Sequence, residues 1–158
     1  MSTTGVESPT RPALDERTRR DLLARARRAA ENAYVPYSSF PVGAAALAAD
    51  GSVHTGCNVE NASYGLTICA ERSAVTATIG AGQQEIVAIA VSAPKVPLTT
   101  PCGACRQVLN EFRPVATDMV VILDDRDSGD AVWLGELLPR AFGPRNLDAA
   151  AQAGASEG

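Results

Sequence analysis

Cys69 and Glu71 stand two positions apart, and about thirty residues further on comes Pro101-Cys102-Gly103-Ala104-Cys105. Three thiols divided in this way can hold one ion only if the fold brings two distant segments to one point. The pattern is therefore a constraint on topology before it is a statement about chemistry. A Cys-x-x-Cys pair sets two sulfurs one turn apart at a helix end, and the third sulfur has to arrive from the start of a neighbouring element. Both segments read as helix starts. Cys69 opens a run to Ile79 that Gly80 and Gly82 stop, and Pro101 stands just ahead of a helix carrying Cys102, Cys105, Val108 and Leu109, where proline is tolerated. Unpaired N–H groups and the dipole at a helix start favour negative charge, and so favour thiolates.

Three thiolates suit Zn²⁺ and leave its fourth position to water, while a carboxylate that is not a ligand can move protons beside it. Cys69, Cys102 and Cys105 are the candidate ligands of one Zn²⁺. Glu71 is the candidate proton shuttle, taking a proton from that water, delivering it to a ring nitrogen and later protonating the departing ammonia. A redox dithiol needs the same Cys-x-x-Cys spacing, and a structural zinc site usually shows a second such pair or a pair of histidines. The chain has neither, and a non-catalytic zinc module has no use for Glu71. Three thiolates leave the metal shell net negative, so positive partners are expected. Arg72 and Arg106, each directly after a site residue, are candidates for donating hydrogen bonds to the ligand sulfurs. Cys57, at a strand end, reads as a buried thiol, and His54, the only histidine, as a surface residue.

A chain of 158 residues with 46% hydrophobic and 20% charged content is long enough for one domain with a core. Net charge is −4, and seven of the fourteen basic residues lie before position 29. The remainder is acidic and lacks the basic channel that a polynucleotide requires, which points to a small, nearly neutral substrate. The first dozen residues lack the apolar core of a secretory signal, and no window approaches a membrane span. These features imply a cytoplasmic protein with reduced thiols. Residues 1–13 read as a disordered leader and 148–158 as a disordered tail, with the domain over 14–147.

Leu14, Thr18, Leu22, Ala26 and Ala29/Ala30 recur at helical spacing, with Asp15 and Glu16 in the opening turn, which predicts an amphipathic helix ending near Asn32. Its arginines read as a solvated face. Val42 to Ala49, Asp50-Gly51 and Ser52 to Val59 predict a hairpin with a tight two-residue turn. Ile86 to Val91 and Met119 to Leu123 are apolar strands, and residues 133–139 form a short helix or turn. Strand, helix, strand, helix, strand implies an α/β fold with parallel pairing and an antiparallel edge hairpin. Phe142 by itself reads as ordinary core.

Four blocks together resemble one family. They are Pro36-Tyr37-Ser38-Ser39-Phe40-Pro41-Val42-Gly43-Ala44-Ala45, Gly56-Cys57-Asn58-Val59-Glu60-Asn61-Ala62-Ser63-Tyr64-Gly65, Ile68-Cys69-Ala70-Glu71-Arg72 and Pro101-Cys102-Gly103-Ala104-Cys105-Arg106-Gln107. In order and spacing they look like the small, single-domain cytidine deaminases, over about residues 15 to 147. The resemblance implies a three-layer α/β/α fold whose five-stranded mixed sheet has helices on both faces, one Zn²⁺ per subunit, and a homotetramer with active sites shared between subunits. It implies hydrolysis of free cytidine and deoxycytidine to the uridines, within pyrimidine salvage. Asn58 and Glu60 would hold the ribose hydroxyls, Phe40 would pack on the pyrimidine, and the Ala70 N–H would meet the base carbonyl. Tyr64 and Phe142 would reach a neighbouring subunit's site. Deaminases of blasticidin S, a related aminopyrimidine nucleoside, share the cysteine and glutamate frame and are the nearest alternative.

Overall fold

Gly43 and Gly56 explain how two helices come down onto one sheet. The computed structural model describes residues 13–144 and 146–147. In it, a Cβ added at Gly43 would collide with the Ala26 carbonyl oxygen of α1 (Glu16–Ala30), and one at Gly56 with the Ala74 amide nitrogen of α2 (Ala70–Gly80). The two glycines lie on adjacent strands, β1 (Gly43–Ala48) and β2 (Val53–Cys57). They open opposite faces of the sheet to close backbone approach.

The sheet has five strands in the order β2-β1-β3-β4-β5, with β3 at Ile86–Ser92, β4 at Val120–Leu123 and β5 at Asp130–Trp133. β1 runs antiparallel to both β2 and β3, β3 parallel to β4, and β4 antiparallel to β5. Alternation along each strand divides the core in two. On one face Ala45, Ala88, Ala90, Val120 and Ile122 pack against Leu22, Leu23 and Ala26 of α1. On the other, Ala44, Ala46, Ile89, Val121 and Leu123 pack against Ala70, Ala74 and Val75 of α2 and Leu109 of α3 (Gly103–Glu111). This is the α/β/α layering that the resemblance implies.

Several local expectations change. Asp15 lies outside the first helix as its N-cap, accepting the Thr18 N–H at 2.8 Å, and the helix closes at Ala30 rather than near Asn32. The hairpin turn has three residues. The Ala48 N–H bonds the Ser52 carbonyl at 2.9 Å, and only Gly51 takes a positive φ, +88°, so Asp50-Gly51 does not form the expected two-residue turn with positive φ at both central positions. β5 is missed by residue patterning because it is four residues long and its first two are exposed. Parallel pairing is confined to β3 and β4, since β1 separates β2 from β3. The 133–139 segment contains the one-turn α4 (Leu134–Leu137). Phe142 is 60% exposed and so not core. Cys57 and His54 are both half-buried; the Cys57 thiol lies 3.5 Å from the Asn32 carbonyl, and His54 Nε2 lies 3.0 Å from Ser52 Oγ. The expected leader and tail fall outside the described residues over 1–12 and 148–158. No helix among the described residues is long and apolar enough to cross a membrane.

Candidate metal centre

α2 and α3 pack side by side on the same sheet face, and their first turns meet. Cys69 is the N-cap of α2 and Cys102 the N-cap of α3, while Cys105 lies in the first turn of α3. The three sulfurs lie within 4.8 Å of one another, and among the described residues they form a group of their own. Cys102 is exposed, Cys69 half-buried and Cys105 buried, so the cluster opens outward from the core. Neither cap side chain bonds its own helix N–H groups, which leaves both sulfurs for other work.

The electrostatics of the cluster fit a divalent cation. The neighbouring Cys105 thiol, with Arg72 assisting, lowers the Cys69 pKa to about 5. The same contact, burial and the nearby Glu71 charge push Cys105 far up. Left to themselves the sulfurs cannot all ionise, whereas a soft dication lets all three do so at once. Three converging thiolate donors are a Zn²⁺ set.

Glu71, the second residue of α2, is 5% exposed. Burial raises its pKa, and the Cys69 charge adds to the effect. Arg72 Nη2 lies 3.6 Å from Cys69 Sγ and donates to the Thr67 carbonyl at 2.9 Å. Its Nε is buried without a hydrogen-bond partner. Arg106 behaves differently. Its guanidinium donates to the Pro101 carbonyl at 2.7 Å, the Leu137 carbonyl at 2.9 Å and the Thr100 hydroxyl at 3.1 Å, and none of these partners is a sulfur. It braces the loop before Cys102 instead of touching the ligands.

Of the other candidates, Glu60 and Tyr64 line a cavity of about 280 Å³ together with Tyr37, Ser38 and Thr67. The Glu60 carboxylate accepts the Tyr37 N–H at 2.8 Å and the Ser38 N–H at 3.2 Å. Asn58 accepts the Val42 N–H at 2.8 Å and donates to the Phe40 carbonyl at 2.9 Å, so it clasps the 40–42 segment to the end of β2. Ala70 is buried as the first residue of α2, where helical N–H groups have no intrahelical acceptor. Tyr64 is largely exposed, 5.8 Å from the Tyr37 ring. Phe142 is not among the residues lining this cavity. Sequence reasoning missed Thr67, which lines the cavity and holds Arg72, because a lone threonine before a helix carries no distinguishing pattern.

A family profile described as the cytidine and deoxycytidylate deaminase zinc-binding region matches residues 16–123, a span that includes Cys69, Cys102, Cys105 and Glu71. The chain belongs to that family. It is 47% identical over 130 residues to the cytidine deaminase of Halalkalibacterium halodurans, covering 82% of this chain and 98% of that one. It is 48% identical over 126 residues to the cytidine deaminase of Mycobacterium tuberculosis, covering 80% and 90%. The crystal structure of cytidine deaminase from Burkholderia pseudomallei superposes with a TM-score of 0.71 at 44% identity, over 78% of this chain and 98% of that one. Membership makes this chain a zinc-dependent hydrolase with one ion per subunit, which Cys69, Cys102 and Cys105 are positioned to hold.

Proposed function

We infer that the chain hydrolyses free cytidine and deoxycytidine to uridine and deoxyuridine with release of ammonia. The observation that carries this reading is Glu71, a carboxylate buried at the edge of three converging thiols and not one of their group. Cys69, Cys102 and Cys105 would hold Zn²⁺, which would supply an activated water as nucleophile. Glu71, its pKa raised by burial, is suited to accept a proton from the attacking water and pass it to the ring nitrogen beside C4, then to take the proton of the new C4 hydroxyl and deliver it to the departing amino group, which leaves as ammonia. Arg72 offsets the negative charge of the sulfurs.

Glu60 and Asn58 are assigned to the sugar hydroxyls, in support of which Glu60 lines a cavity of suitable scale and is pinned by two backbone N–H groups. Phe40 packs on the pyrimidine and the Ala70 N–H donates to its carbonyl. The catalytic unit spans 14–147, and the protein works in the cytoplasm, where free thiols persist. Subunits assemble as a homotetramer in which Tyr64 and Phe142 complete a neighbour's site. An exposed apolar surface of Tyr34, Val59, Tyr64, Leu66 and Ile68 supports this assembly.

The test is a spectrophotometric assay of purified protein with cytidine, deoxycytidine and blasticidin S, run beside a metal analysis. Turnover of both nucleosides at one zinc per subunit is expected. Turnover of blasticidin S alone, or none with zinc bound, would contradict the reading.

A further inference from the structure

Two side chains of α3 converge on one backbone oxygen. Gln107 Nε2 donates to the Phe142 carbonyl at 3.0 Å, and Asn110 Nδ2 donates to the same carbonyl at 3.2 Å. Asn110 is 6% exposed, so this bond satisfies a buried amide. Residues 107 and 110 are one turn apart on one helix face. The next residue, Gly143, passes so close that a Cβ there would stand 3.0 Å from Asn110 Nδ2. Its N–H bonds Asn146 Oδ1 at 2.8 Å, and its carbonyl accepts the Asn146 N–H at 2.9 Å, closing a turn. Nearer the metal ligands, Arg106 holds the Leu137 carbonyl. Successive donors on α3 thus fasten a segment whose aromatic ring stays 60% exposed. A rigidly held backbone beneath an exposed ring is the arrangement for presenting that ring to something outside the subunit.

We propose that Gln107 and Asn110 are positioning residues for deamination, fixing Phe142 against the helix that carries Cys102 and Cys105 so that its ring meets a neighbouring subunit's nucleoside in a set place. This rests on the assignment of Phe142 under the proposed function. Because Cys105 and Gln107 are only about 3 Å apart along a helix axis, the ring's anchor and two metal ligands share one rigid mount.

The experiment compares the zinc-loaded wild type with Gln107→Ala, Asn110→Ala, Phe142→Ala and the Gln107→Ala/Phe142→Ala double variant. It reads KM and kcat for cytidine, zinc content and amide hydrogen exchange over 142–146. Gln107→Ala is expected to raise KM at least fivefold with kcat within twofold, keep full zinc and speed exchange over 142–146. The double variant is expected to match Phe142→Ala within twofold. Gln107 is exposed, so its variant remains informative if Asn110→Ala folds poorly. Gln107→Glu, which keeps the shape and loses the donor, is expected to behave as Gln107→Ala. An unchanged KM in Gln107→Ala, or a double variant whose losses multiply, overturns the positioning role while leaving the reaction intact. A wild type with no cytidine turnover overturns the reaction and the role together.

Discussion

Arg72 joins Cys69 to Thr67 on the wall of the cavity that holds Glu60, its Nη2 lying 3.6 Å from the Cys69 sulfur and 2.9 Å from the carbonyl of Thr67. Partners that support ligands in this way are typically worth ten- to a hundredfold in metal affinity. Arg72→Ala is expected to weaken zinc by that range in a chelator competition, with the fold retained by circular dichroism. Unchanged zinc affinity would remove its supporting role.

Glu60 takes both its resolved hydrogen bonds from the backbone, which leaves carboxylate lone pairs free for a sugar hydroxyl. Ser38, and after it the Tyr37 N–H, hold its pKa below the usual carboxylate value, which keeps it anionic for the proposed sugar contact. Glu60→Gln turns a charge-assisted bond into a neutral one. KM for cytidine should rise about tenfold, as one charge-assisted bond is weakened, with zinc content unaltered. Steady-state kinetics beside metal analysis decides it.

Asp124 ties α1 to the ends of β3 and β4. Arg27 donates to its two oxygens at 2.9 and 2.6 Å, and the Ser92 hydroxyl donates at 2.7 Å. The Arg27 bond, with Ser92 adding, lowers its pKa from 3.8 to about 2. A depressed folded-state pKa gives stability that is fully present above the unfolded value and lost as pH falls through the folded one. The contribution is on the order of 1–2 kcal/mol once screening of the part-exposed Arg27 is allowed for. Wild type should therefore lose stability relative to Asp124→Asn as pH falls from about 4 to about 2, in denaturant titrations at each pH. A stability difference flat across that window would contradict the assignment.

Gly43 has no room for a side chain beneath Ala26 and Ala30. Gly43→Val has to push α1 off the sheet, and overpacking of this kind costs about 1–3 kcal/mol or more. A fall in denaturation midpoint with the same slope is the expected outcome.

The parts of this molecule that were legible in the sequence are those written in short-range chemistry. Cys69, Glu71, Cys102 and Cys105 are named by spacing, and the helix starts that hold them follow from the glycines and proline around them. The antiparallel hairpin and the apolar strands β3 and β4 come from composition and alternation. What could not be read depends on geometry between distant residues. The spacing of Arg106 after Cys105 resembles that of Arg72 after Glu71, yet packing sends its guanidinium to Thr100, Pro101 and Leu137 instead of sulfur. β5 is too short and too exposed for an alternating signal, and the aromatic character of Phe142 suggested burial where the fold leaves it exposed.

The account turns on one carboxylate, Glu71, moving protons without binding metal. The most direct measurement is cytidine turnover and zinc content of Glu71→Ala, side by side. A zinc-replete, folded variant whose kcat/KM has dropped at least about a hundredfold is the predicted result. Wild-type turnover in that variant, or loss of the zinc along with the activity, would contradict it.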